Sequence, residues 1–220
     1  MIASRLGEAE LREQGGQLIP ATRVHWPPGG ARVNLFHRWC CASKGWARTV
    51  QEYMMPGVIG DKRLGDDVLE IGPGPGLTTD WLRERVPHLT AIEVDHKLAT
   101  SLKARLDGKN VTVVHGDATR MPFPDDSFTS AVCFTMLHHV PSKQLQDDLL
   151  KQTFRVLKPG AIFIGSDSTP TFRWNLAHLF DTRVPVDPDT FGGRLETAGF
   201  VDVKVRREEG PYFSFLARKP

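Results

Sequence analysis

The chain has 220 residues, with 28 Lys and Arg against 26 Asp and Glu for a formal charge of +2, 40% hydrophobic and 25% charged residues, 20 Gly, 16 Pro and 3 Cys. That is an ordinary globular composition, long enough for one core that removes roughly 70% of the unfolded chain's surface from water, and its near-balance of charge excludes a chain whose main role is gripping phosphate backbones. Cys40 beside Cys41, and Cys133 inside an apolar run, offer neither a disulfide framework nor a C-x-x-C metal spacing, which predicts a reducing compartment. No apolar run approaches the roughly 18 residues that span a bilayer, and Met1–Glu10 lacks the apolar stretch of a secretory signal, so the expected location is the cytoplasm, with no membrane partner.

Residues 1–32 end in Pro27-Pro28-Gly29-Gly30 and show neither a helical nor a strand period, which predicts a poorly ordered arm. Residues 33–63 follow as a helical cap. Leu35, Trp39, Trp46, Val50, Tyr53 and Met54 recur at helical spacing, interrupted at Ser43-Lys44-Gly45 and ended by Pro56-Gly57, which fits two short helices. Arg38, Lys44 and Arg48 make this segment basic, and its aromatic residues suit either a cap on the sheet or a lid over a substrate.

From residue 64 to 220 short apolar strands alternate with amphipathic helices, the pattern of an α/β, doubly wound, mostly parallel sheet. The predicted strands are Asp67–Ile71, Leu89–Val94, Val111–His115, Phe128–Thr135, Ala161–Ser166, Val201–Arg206 and Pro211–Arg218. The predicted helices are Gly76–Arg85, His96–Leu106, Ser142–Leu157 and Pro188–Ala198, the last with Asp187 as N-cap, Pro188 in its first turn and Gly199 as its stop.

The first of these strands runs into Gly72-Pro73-Gly74-Pro75-Gly76, which opens a helix. Glycine at alternate positions lets a ligand approach backbone, and the helix start supplies unpaired N–H groups. A dinucleotide fingerprint would need glycine at position 77, where this chain has Leu77, and Glu70 would face a doubly negative pyrophosphate; both disfavour a nicotinamide-dependent oxidoreductase. A cationic ligand carrying an ammonium beside a sulfonium suits the acid better. Glu93, 23 residues after Glu70, ends the second strand, where a carboxylate can accept both hydroxyls of a ribose. Asp117 follows the third strand, within reach of an adenine's exocyclic amine. Three acids at successive carboxyl edges lie where open α/β sheets bind ligands.

These residues, with Met121–Phe128, Leu137-His138-His139-Val140 and Arg155-Val156-Leu157-Lys158-Pro159-Gly160, resemble a class I S-adenosylmethionine-dependent methyltransferase over about residues 64–218. The second half is similar to the small-molecule branch that includes the ubiquinone and menaquinone methyltransferases. The resemblance implies a Rossmann-like seven-stranded sheet of order 3-2-1-4-5-7-6 with the last strand antiparallel. It implies S-adenosylmethionine as cofactor and S-adenosylhomocysteine as product. It places Glu70 and the loop Gly72, Pro73, Gly74, Pro75 and Gly76 at the methionine part, Glu93 with its neighbour Val94 at the ribose, Asp117 and Ala118 at the adenine, and Phe134 and Thr135 beside the cofactor. Thr129 departs from the branch, which often has Asp there.

The first half is also similar to the rRNA adenine dimethyltransferases. That family carries an Asn/Asp-Pro-Pro-Tyr type motif after the fourth strand, and this chain has Phe134-Thr135-Met136-Leu137-His138-His139 instead. For a hydroxyl acceptor His138 or His139 is the candidate base, since imidazole takes a proton near neutral pH; the pair equally suits ordering the loop or touching the cofactor. No H-x-x-x-H spacing supports a metal. Thr169–Phe191, with Phe172, Arg173, Trp174, His178, Asp181 and Arg183, fits a substrate cover, and its Phe172, Leu176, Leu179 and Phe180 fit the buried face of a short helix equally well. The expectation is a methyltransferase of a small molecule, O-methylation ahead of C- or N-methylation, with no nucleic-acid partner. An RNA-modifying methyltransferase and a non-catalytic S-adenosylmethionine-binding protein are the alternatives, and the acceptor and the oligomeric state stay open.

Overall fold

In the computed structural model, which describes residues 11–14, 17–20, 43–170 and 183–220, two short strands come first, β1 (Leu11–Gln14) and β2 (Gln17–Pro20). They pair antiparallel, with Leu11 opposite Pro20. The sequence pattern predicts no strand here, because four residues are too few for a period of two to register. The rest of the arm, and Leu35, Arg38, Trp39, Cys40 and Cys41 of the cap, lie outside the described residues, as do Phe172, Arg173, Trp174, Leu176, His178, Leu179, Phe180 and Asp181.

The described part of the cap is one continuous helical path, and the predicted helix before Ser43 lies outside the described residues. α1 (Lys44–Arg48) passes through a π-helical segment, Thr49–Met54, into α2 (Met55–Ile59). Ser43, within the predicted interruption, starts it: its side chain accepts the Trp46 N–H at 3.2 Å. Pro56-Gly57, expected as the end, is passed. The wider π turn bonds the Met55 N–H to the Val50 carbonyl, so Pro56 sits in the first turn of a new segment, where its missing donor costs little. The path ends at Gly60, at φ 57°.

The main sheet follows: β3 (Asp67–Ile71), α3 (Leu77–Leu82), β4 (His88–Glu93), α4 (His96–Arg105), β5 (Val111–His115), β6 (Phe128–Phe134), α5 (Lys143–Val156), β7 (Leu157–Ser168), α6 (Pro188–Thr197), β8 (Val201–Arg207) and β9 (Tyr212–Arg218). Its seven strands lie in the order β5-β4-β3-β6-β7-β9-β8, and β9 runs antiparallel to both neighbours. Counted within the sheet this is 3-2-1-4-5-7-6, the order implied by the resemblance. The direction of winding reverses between β3 and β6, so their carboxyl ends flank the crevice where such sheets bind ligands.

Two boundaries moved for physical reasons. α3 begins at Leu77 and ends at Leu82, shorter than the predicted Gly76–Arg85, because Gly76 is left-handed at φ 90° and cannot be helical. β7 starts at Leu157 rather than Ala161, since Leu157 pairs with Phe128 and the Gly160 N–H donates to the Lys219 carbonyl at 2.9 Å. Thr129 ties β6 to the start of β3: its hydroxyl oxygen accepts the Asp67 N–H at 3.1 Å and donates to carbonyls of Leu64 or Asp67 at 3.0 and 2.9 Å.

Alternation along the strands divides the core. Leu69, Ala131, Cys133 and Phe163 pack on one face with Leu149 and Leu150 of α5 and Phe191 and Leu195 of α6. Val68, Val132, Phe134 and Ile164 pack on the other with Met55 and Ile59 of α2 and Leu82 of α3. β3 is buried along Val68–Ile71, which is why it reads as an unbroken apolar run holding one acid, Glu70. Among the described residues no helix is long and apolar enough to cross a membrane.

Candidate functional site

The glycine loop leaves β3 where the Gly72 N–H donates to the Ile92 carbonyl at 3.0 Å. Gly72 is at φ 68°, and a Cβ there would lie 2.2 Å from Cγ of Met136, so the loop after β6 presses directly on the loop after β3. Beyond it Gly74 faces open space, with nothing among the described residues within 4 Å of where a Cβ would be. At Gly74 a ligand can approach the backbone.

The three acids sit at that edge but are held differently. Glu70 is buried, and its carboxylate accepts the hydroxyls of Thr78 and, at 2.7 Å, Thr79 in the first turn of α3. Burial pushes its carboxyl up to about 7; the two hydroxyls work against the rise, and the neighbouring Glu93 and Asp80 add to it. Glu93 accepts the Gly74 N–H at 3.0 Å on one oxygen and the Asp95 N–H at 2.9 Å on the other, and burial raises its carboxyl as well. It thereby pins the loop after β3 to the end of β4.

Asp117 is different. It caps the 3₁₀ turn Ala118–Arg120, one oxygen accepting both the N–H and the hydroxyl of Thr119 at 2.8 Å, while its Oδ2 is buried with no hydrogen-bond partner among the described residues. A buried acceptor without a donor is costly, and a ligand amine would satisfy it. Ala118 packs half-buried against the core beside it. The carbonyl of Val94 accepts from Nε2 of His115 at 3.1 Å.

On the other side of the crevice Phe134 is buried, and Thr135 holds a left-handed φ of 49° that is rare for a β-branched residue. Its N–H donates to the Ser166 carbonyl at 2.8 Å. This twist turns the chain into Leu137–His139, a 3₁₀ turn. The His138 and His139 rings lie 4.1 Å apart between centroids, tilted by 43°. His138 is buried, and Asp167 near the end of β7 holds it twice: one oxygen accepts the His138 backbone N–H at 3.1 Å, the other meets Nδ1 and also accepts the Ser168 N–H at 2.6 Å. A carboxylate at Nδ1 places the proton there. Gln146 of α5 supports the turn from below, donating to the Leu137 carbonyl at 3.0 Å and the Val184 carbonyl at 2.8 Å.

The fold thus gathers the predicted residues of both half-sheets along one carboxyl edge. Thr78, Thr79, Asp167 and Gln146 were not predicted. Asp167 carried a usable signal, an acid near the carboxyl end of a strand, as for Glu93 and Asp117; the two threonines read simply as first-turn helix residues. No group of three or more His, Cys, Asp or Glu placed to hold a metal occurs among the described residues.

Residues 69–165 match the family profile described as a methyltransferase domain. This domain belongs to the class I S-adenosylmethionine-dependent methyltransferases. The chain is 32% identical over 142 residues to a probable S-adenosylmethionine-dependent methyltransferase of Mycolicibacterium smegmatis, covering 62% of this chain and 52% of that protein. It is 28% identical over 182 residues to the erythromycin 3''-O-methyltransferase of Saccharopolyspora erythraea, covering 70% and 58%. A probable ribosomal RNA small subunit methyltransferase A of Methanothermobacter thermautotrophicus is 41% identical over 88 residues, covering 36% and 32%. The chain therefore spans less than two thirds of the length of these curated relatives. Among solved structures, a SAM-dependent methyltransferase from Archaeoglobus fulgidus superposes with a TM-score of 0.67 at 18% identity, covering 84% of this chain and 98% of that one. Phosphoethanolamine N-methyltransferase 2 of Haemonchus contortus, in complex with phosphomonomethylethanolamine and S-adenosylhomocysteine, superposes at 0.65 with 14% identity, covering 84% and 57%. These likenesses establish the methyltransferase fold.

Proposed function

We propose that the protein transfers the methyl group of S-adenosylmethionine to a hydroxyl of a small molecule. The observation that carries the cofactor reading is Oδ2 of Asp117, a buried acceptor without a donor among the described residues, at the same sheet edge as the open backbone of Gly74. An adenine amine supplies the missing donor. Glu93 takes the ribose hydroxyls, and the loop Gly72–Gly76, held by Glu70 through Thr78 and Thr79, receives the methionine part. Val94, Ala118, Phe134 and Thr135 complete the walls. Within this reading residues 64–220 are the methyltransferase unit, 33–63 a cap on it and 1–32 an arm outside it, in a cytoplasmic protein.

When bound, S-adenosylmethionine supplies an activated methyl carbon, and its transfer is an in-line displacement whose rate depends largely on positioning. The chain's share is to hold the two reactants in line and to take the acceptor's proton. The turn after β6 carries the groups that receive this proton, with His139 half-buried at the crevice and His138 fixed behind it by Asp167. The relative named for 3''-O-methylation of erythromycin supports a hydroxyl acceptor.

A second reading, an RNA-modifying methyltransferase, is favoured by the 41% identity to the archaeal ribosomal RNA enzyme. That likeness covers 36% of the chain, and Phe134–His139 lacks the motif that family uses on an adenine amine. The deciding experiment incubates the protein with methyl-labelled S-adenosylmethionine and, separately, a panel of small hydroxylated compounds and total RNA. Label in a small molecule supports the first reading, and label in RNA the second. Cofactor binding by calorimetry with label in neither supports a non-catalytic binding protein, and a preference for NAD refutes the cofactor reading.

A further inference from the structure

The glycine loop is held from a third side, by a residue outside every motif of the cofactor edge. Arg105, the last residue of α4, places Nη1 at 2.8 Å from both carboxylate oxygens of Asp80 in α3. Its Nη2 donates to the carbonyl of Pro75 at 3.3 Å and lies 3.5 Å from that of Gly76. The guanidinium therefore spans the last two residues of the loop and the helix that follows. The approach is close: a Cβ on Gly76, which sits at φ 90°, would lie 2.4 Å from Nη2 of Arg105 and 2.5 Å from Cδ1 of Leu102. Glycine at 76 is thus what lets α4 reach the loop.

We propose that Arg105 is a positioning residue for the cofactor, a latch that keeps Gly72–Gly76 in its ligand-receiving conformation; the proposal rests on the reading of this loop as the S-adenosylmethionine site. A loop with glycine at 72, 74 and 76 has unusual backbone freedom, and each competing conformer lowers apparent affinity in proportion to its population. Glu93 restrains the loop at Gly74, and Glu70 restrains the helix beyond it at Thr78 and Thr79. Pro75 and Gly76 lie between those anchors, and their carbonyls are the ones Arg105 holds. A planar fork reaches a carboxylate and a carbonyl together, whereas a lysine ammonium has one nitrogen to offer.

The test titrates S-adenosylhomocysteine calorimetrically into the wild type, Arg105→Ala, Arg105→Lys and Asp80→Asn, with Arg218→Ala as control. Arg218 forms an ion pair with Asp202 at similar exposure, 42% against 43% for Arg105, on a strand away from the loop. The expected result is a three- to tenfold weakening, on the order of what a partly exposed pair supports, in Arg105→Ala and Asp80→Asn. Arg105→Lys should recover part of it, because its single nitrogen still reaches Asp80, and Arg218→Ala should bind as the wild type does. Equal affinity of Arg105→Ala and wild type overturns the latch, and so does an equal loss in Arg218→Ala, which would mark a general stability effect. No binding by the wild type refutes the cofactor reading itself, and the latch with it. Should Arg105→Ala fail to fold, Asp80→Asn alone decides between the first two outcomes.

Discussion

Replacing Glu70 by glutamine isolates the cost of a buried carboxylate at the cofactor edge. The side chain keeps its length and one acceptor oxygen, loses its charge, and turns the second oxygen, which accepts the other of the Thr78 and Thr79 hydroxyls, into an amide donor, a pH-independent cost that cancels when the two proteins are compared between two pH values. In the folded protein burial pushes the Glu70 carboxyl from 4.5 to about 7. Between those values the unfolded chain has released a proton that the folded chain retains, so the unfolded state binds fewer protons and stability falls as pH rises. Below pH 4.5 both states are protonated and the site costs nothing; above pH 7 the full difference applies, which at ~1.4 kcal/mol per pH unit amounts to about 3 kcal/mol. Glutamine does not titrate and escapes this loss. Urea unfolding of both proteins at pH 5 and pH 7.5 measures it: Glu70→Gln should gain on the wild type by about 2 kcal/mol between the two conditions, most of that range. Glu93, also raised by burial, contributes the same sign of slope to both proteins and largely cancels in the comparison. Parallel pH profiles for the two proteins would refute the argument, showing that the threonine hydroxyls stabilise the charge as well as water does.

Three further outcomes follow from the geometry. Glu93→Ala leaves the N–H groups of Gly74 and Asp95 without their acceptor and removes the proposed ribose contact, so S-adenosylmethionine should bind at least about tenfold more weakly by calorimetry; unchanged affinity removes Glu93 from the site. Gly72→Ala forces a Cβ to 2.2 Å from Met136 at a positive φ and should cost about 1–3 kcal/mol in thermal or urea unfolding, partly regained in the double variant with Met136→Ala; a full-strength Gly72→Ala protein would mean the two loops do not touch. Asp167→Asn cannot accept all three donors its carboxylate meets, from His138 twice and from Ser168, so methyl transfer to a hydroxyl should fall well below the wild-type rate while S-adenosylmethionine affinity stays within about twofold; an equal fall in both would assign Asp167 to general stability.

Much of the site was legible because it is written in short-range patterns. The run Val68–Ile71 into alternate glycines marks a strand, a tight turn and a helix start within ten residues, and Glu93 and Asp117 are visible as acids because the first ends a strand and the second follows closely after one. The end of the cap read less well: Pro56 is a stop signal in a regular α-helix, but a π turn carried the path past it to Ile59. The state of each acid was not legible at all. Glu70, Glu93 and Asp117 look alike in sequence, and only packing leaves Asp117 with an unmet oxygen while Thr78, Thr79, Gly74 and Asp95 take up the others.

The amino-acid sequence by itself determined the strand and helix alternation, the turn chemistry of Gly72–Gly76 and the residue types at each strand tip, since these depend on neighbours a few positions away. Tertiary structure alone decided which distant groups meet: Asp167 with His138, 29 residues apart, and Arg105 with Pro75, 30 residues apart. Hydrogen-bond partners and burial are set by how strands order and helices dock, and those are properties of the whole packed chain.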